Sequence, residues 1–169
     1  MAQWCAQQGY EFDRYLQAHT LLVDLPLQVA CWWSDDEKTF AVFYCAPDGQ
    51  ILFEFVTGFG EQDSLATASG KDAMLLPRPP GSWAQAFPGR TIEEVHARHV
   101  EACRLLERCG AGARTAVKPD SLRALGEAMV RQARYVTGLP LWRWRGVWWY
   151  FVRRNLLADR PIDLRREAD

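Results

Sequence analysis

No CxxC pair or zinc-ribbon spacing relates the five cysteines, at positions 5, 31, 45, 103 and 109. An odd set without those patterns argues against a disulfide framework or a structural zinc site, and points to a reducing compartment. The N-terminus lacks a basic region followed by an apolar core, so no secretory signal is expected. No apolar run is long enough to cross a bilayer without interruption by charge. Nucleotide signatures are missing too. In a P-loop ending at Gly70-Lys71 the first glycine would stand at Leu65 and the hydroxyl residue at Asp72, and a dinucleotide fingerprint from Gly58 would need glycine at Asp63. Asp35, Asp36 and Glu37, with Asp24 upstream, lack the ligand alternation and glycine of a calcium loop and read as a solvated hairpin tip. Neither an RNP-like nor a helix-turn-helix signature is present, which disfavours nucleic acid as a partner. No cofactor is called for.

What is present suits a folded chain of one domain. The 169 residues are 49% hydrophobic and 24% charged, far from the composition of disordered segments. A net charge of −1 conceals a division at residue 75. Residues 1–75 carry eleven Asp and Glu against three Lys and Arg, a net of −8; the rest carries seventeen basic residues against ten acidic, a net of +7. After residue 75 every basic residue except Lys118 is arginine. Such asymmetry means either two halves that attract each other or a surface for an anionic partner.

Hydrophobic spacing predicts an α+β fold. Cys5, Phe12, Tyr15, Leu16 and His19 recur at three- and four-residue intervals and predict a helix from Gln3 to about His19, despite Gly9. Leu27–Trp33, Thr39–Cys45 and Ile51–Thr57 predict three strands, joined by short polar links that imply antiparallel hairpins. Ser64–Ser69 is a fourth. Prolines 77, 79, 80 and 88 predict an extended surface strap. Thr91-Ile92-Glu93-Glu94 is a capping box that opens a helix over about Thr91–Cys109, with Ile92, Val95, His99, Ala102, Cys103 and Leu106 on one face. A second helix begins near Asp120 or Ser121, with Leu122, Leu125, Met129, Ala133 and Val136 as its stripe, and stops at Gly138 before Pro140. The expected architecture is an N-terminal helix, an antiparallel meander of three to five strands and three C-terminal helices packed with the sheet. It forms a single domain over residues 1–162: a sheet half at about 20–75, the strap at 75–89, a helical half at 90–160, and a mobile tail at 163–169.

Two groups of residues carry candidate function. His99 lies mid-stripe on the capped helix, where a buried imidazole is either a hydrogen-bonded structural residue or a tuned acid/base. A small-molecule, hydrolase-like enzyme using His99 requires it to be reachable from solvent and within hydrogen-bonding distance of a Cys, Ser, Thr or carboxylate. His96, His99 and Cys103 share a narrow arc, but no second cluster supplies further metal ligands.

The second group is Leu139–Leu157, with four of the eight tryptophans and four arginines: Trp142, Arg143, Trp144, Arg145, Trp148, Trp149, Arg153 and Arg154. Its helical projection is amphipathic, with Arg145 inside the apolar arc and its stem along the rings. Packing on the protein's own sheet is the first expectation; an anionic membrane surface or a protein partner are the others. The function read from the sequence is a non-catalytic intracellular binding or accessory protein using this helix, cytoplasmic or peripheral to the inner membrane face. A partner-neutralising role for the acidic half, as in a toxin immunity factor, is a further alternative.

Overall fold

The computed structural model describes residues 1–19, 26–45, 49–60, 63–115, 118 and 120–153. It is an α+β structure built on a six-stranded sheet whose strands lie in chain order: β1 (Glu11–His19), β2 (Pro26–Ser34), β3 (Thr39–Cys45), β4 (Ile51–Phe59), β5 (Asp63–Ala68) and β6 (Ser82–Ala86). β1 to β5 are antiparallel neighbours. β6 joins β5 in parallel, so the sheet is mixed and has six strands, not the all-antiparallel meander of three to five strands expected. A parallel neighbour needs a crossover of a dozen residues or more, and residues 69–81 supply it with a 3-10 turn at Lys71–Met74 and the first prolines of the strap.

The N-terminal element departs most from expectation. The helix, α1, covers only Ala2–Gln7. Gly9 has φ +75°, its N–H bonds to Ala6 and the N–H of Tyr10 returns to the carbonyl of Cys5 at 2.8 Å. This Schellman closure ends the helix, and its apolar contact joins Tyr10 to Cys5, both buried. The chain then enters β1. A bulge at Asp13 lies between the pairs Phe12↔Trp32 and Arg14↔Cys31, which puts Phe12 and Tyr15 on the same face with their rings 4.8 Å apart. Residues three apart on one face mimic a helical spacing, so a bulged strand reads as a helix.

Alternation along the strands gives the sheet two different faces. On one, Phe43, Phe53 and Phe55 pack with Cys5, Tyr10, Phe87 and Val95, beneath α2 (Ile92–Arg108). The capping box of α2 is formed as expected, and the predicted stripe Val95, His99, Ala102, Cys103 and Leu106 is buried. On the other face, Val29, Cys31, Trp33, Phe40 and Val42 form a second cluster.

α3 (Ser121–Gly138) lies over that second face, capped by Asp120, whose Oδ1 accepts from the N–H groups of Leu122 and Arg123. Its first turn is held to β1: Ser121 donates to Asp13, and Asp13 pairs with Lys118 at 3.0 Å. Its far half is held to the strap, where Gln132 donates to the carbonyl of Pro77 and Val136 packs on Leu75. In α3 only Ser121 and Val136 are buried. The helix therefore spans the sheet from two attachment points without settling onto it. α4 (Trp142–Trp148) follows and continues into a π-helical turn at Trp149–Arg153. The expected tail at 163–169 lies outside the described residues.

Candidate functional site

In the Trp- and Arg-rich segment, Gly138 and Pro140 separate α4 from α3 as the sequence implies, and Leu141 takes a left-handed conformation, φ 55°, at the N-cap. Trp149 turns inward: it is 6% exposed and packs with Leu75 and Val136. Its neighbours face outward. Trp144 is 76% exposed and Phe151 66%, and Leu141, Trp142, Val147, Trp148, Tyr150 and Val152 are exposed as well. The apolar arc is thus anchored at one tryptophan against α3 and the strap, not laid on the sheet as first expected. Arg143 and Arg145 are exposed beside these rings, and the guanidinium of Arg143 lies 5.7 Å from the Trp142 ring centre. Arg153 is half-buried, and Arg154 lies outside the described residues. Among the described residues no helix is long and apolar enough to cross a membrane.

His99 stands elsewhere, sealed between α2 and the sheet at 1% exposure. Its Nε2 is 2.8 Å from Thr57 Oγ1, its Nδ1 2.8 Å from Thr67 Oγ1, and Cys103 Sγ is 3.5 Å from Nε2. The direction of each bond follows from the two ends of the chain of contacts. At one end Thr39 donates its single proton to the carbonyl of Glu37, at 3.0 Å, so across the 2.6 Å contact Thr57 must donate to Thr39. Thr57 therefore accepts from His99, and Nε2 carries the ring proton. At the other end Gln85 donates through Nε2 to both the Arg98 carbonyl and Thr67, which leaves Thr67 to donate to Nδ1. His99 is thus a neutral imidazole with both nitrogens satisfied. Burial, reinforced by the nearby charge of His96, lowers its pKa from 6.5 to about 3. Hydroxyl and thiol groups lie within reach, as an acid/base reading requires, but solvent does not. Burial likewise pushes the thiol of Cys103 up to about 11, away from the reactive thiolate.

His96 does not join His99. It turns to Glu37, whose Oε2 lies 2.8 Å from His96 Nε2 and accepts from the Tyr10 hydroxyl at 2.8 Å. Arg114 donates to the Glu37 carbonyl at 3.1 Å. Burial raises the Glu37 pKa, but the bonds from His96 and Tyr10 outweigh it and hold the carboxyl below its usual range. The acidic hairpin tip is therefore divided: Asp35 and Asp36 are exposed, whereas Glu37 ties the hairpin to α2 and the N-terminal segment. Among the described residues no group of three His, Cys, Asp or Glu side chains is placed to hold a metal ion.

A third feature has little signature in the sequence. Between the second sheet face and α3 lies a cavity of about 310 Å³, floored by Phe40, Val42, Tyr44 and Val56 and roofed by Ala124 and Met129. Glu54 opens into it from β4. Burial pushes its pKa above the usual carboxylate range, opposed by the charge of Arg78 and a bond from Tyr44. The available signal was a lone charge within the apolar run Ile51–Val56. A smaller cavity of about 180 Å³ lies where α4 meets α3, lined by Val136, Trp142, Gly146 and Trp149. No family model, curated protein or solved structure matches the chain.

Proposed function

We propose that this is a non-catalytic binding or accessory protein that docks on anionic membrane surfaces through α4 and the turn that follows it. The observation that carries the reading is the contrast within one short segment: Trp149 is buried, while Trp142, Trp144, Val147, Trp148, Phe151 and Val152 face solvent. Contiguous exposed apolar surface is costly in water, and its presence marks an interaction site. Indole rings favour the headgroup region, where an apolar body and a polar N–H are both accommodated. Arg143 and Arg145, exposed on the same helix, complement anionic headgroups. The anchor at Trp149 presents this surface already folded, which limits the ordering cost of binding.

Co-sedimentation with vesicles tests the reading. Wild-type protein is expected to pellet with vesicles containing phosphatidylglycerol and to remain in solution with pure phosphatidylcholine, with binding weakened as salt is raised. Arg143→Gln with Arg145→Gln is expected to weaken binding by about 2 kcal/mol, roughly thirtyfold. A folded wild type that ignores anionic vesicles overturns the proposal, as does a dimer that buries the patch and excludes lipid.

A further inference from the structure

We infer that the cavity between the sheet and α3 is a binding site for a small organic cation, a compact apolar body carrying one ammonium group that pairs with Glu54. The site is independent of the membrane-docking surface.

Glu54 occupies an interior position on β4, where its cross-strand neighbours are Val42 on β3 and Ala68 on β5. Val56, two residues along the same face, is apolar as well. A carboxylate placed on such a floor is costly unless its oxygens are satisfied, and it has roughly four acceptor sites to fill. The hydrogen bond it receives among the described residues comes from the Tyr44 hydroxyl at 3.4 Å, longer than an ordinary O–H···O contact. Its remaining acceptor capacity faces the cavity. Two cationic residues also line the cavity: Arg78, whose charge acts on Glu54, donates through Nη2 to the Ala73 carbonyl at 3.0 Å, and Arg131 has an interaction of its own. Glu54, with one long hydrogen bond, keeps unfilled acceptor sites toward the pocket, which select a donor, preferably a charged one.

The shape of the site selects the rest of the ligand. Ala124 and Ala128 present small side chains from α3, and Val42, Val56 and Met129 supply apolar walls. A volume of about 310 Å³ is at the lower end of the range for small-molecule pockets. Hydrated inorganic cations are a poor match, because one carboxylate among apolar walls cannot replace their oxygen shell. An amine with a short aryl or alkyl body fills the apolar space and offers three N–H donors at one end.

The test uses phenethylamine as probe, with phenethyl alcohol and hydrocinnamate as neutral and anionic controls of similar shape. In amide correlation spectra the amine is expected to shift the resonances of Val42, Val56, Ala124 and Ala128 saturably, binding at least about tenfold tighter than either control. Glu54→Gln is expected to remove that advantage. Ala124→Phe fills the cavity while leaving Glu54 in place, and is expected to abolish binding with the rest of the spectrum unchanged; it carries the test if Glu54→Gln does not fold. The inference is overturned if no probe binds wild type, if either control binds as tightly as the amine, or if the amine's advantage survives in Glu54→Gln. Amine binding retained in Ala124→Phe overturns it equally.

Discussion

His99 is held by a one-way relay of hydrogen bonds, from Gln85 through Thr67 to the ring and from the ring through Thr57 and Thr39 to a backbone carbonyl. Protonating it would reverse a bond that Thr67 must donate, inside a region that water does not reach. Its folded pKa of about 3 lies below the ordinary 6.5, so between those values the unfolded chain holds a proton that the folded chain lacks. Its contribution is complete above about pH 6.5 and is lost as pH falls toward about 3. Denaturant unfolding at pH 7 and pH 5 is expected to show the wild type losing about 2 kcal/mol more than His99→Gln, since glutamine does not titrate. Equal losses would contradict the assignment. Glu37 is a second residue with a disproportionate role. Glu37→Gln is expected to cost roughly 2 kcal/mol, because Tyr10 and His96 both rely on its carboxylate. Asp36→Asn, one residue away and exposed, should change unfolding free energy by less than about 0.5 kcal/mol.

At the scale of elements, the two sides of the sheet are covered in different ways. α2 is buried along a full stripe, whereas α3 is attached at its ends and stands over a cavity. Removing one attachment should therefore act locally. Asp13→Asn disrupts the contacts with Ser121 and Lys118 and is expected to cost about 1–3 kcal/mol while speeding amide exchange in the first turns of α3 before α2. Uniform acceleration across both helices would show α3 to be as firmly seated as α2. The same elements show what could be read from the sequence. α2 was legible to its cap and its buried face because Thr91 and Glu94 satisfy each other locally and the stripe has a single partner. The core strands were legible from their alternation. β1 was not, because the bulge at Asp13 gives Phe12 and Tyr15 a helix-like spacing and only Gly9 marks the true end of α1. β6 was hidden among prolines, and its parallel pairing depends on a crossover that no local pattern encodes. The site behaved likewise. The tryptophans and arginines announced themselves, but which ring is buried depends on Leu75 and Val136, far away in the chain. Glu54 became conspicuous only once α3 was placed above it.

Over the whole molecule, the acidic and basic halves of the chain meet in some places and diverge in others. Part of the complementarity is internal, as Lys118 pairs with Asp13 and Arg114 reaches the hairpin at Glu37. The arginines of α4 face outward instead, next to the exposed rings. That arrangement makes one end of the molecule both apolar and cationic, the combination suited to an anionic bilayer surface. The proposed docking predicts that specific rings insert. Vesicles of phosphatidylglycerol with acyl chains brominated near the headgroup quench tryptophans that enter the lipid. The predicted result is strong quenching in the wild type that is largely lost when Trp142, Trp144 and Trp148 are replaced together by phenylalanine, because the remaining described tryptophans belong to the folded body. Quenching absent from the wild type, or undiminished in the triple variant, would contradict membrane docking through α4.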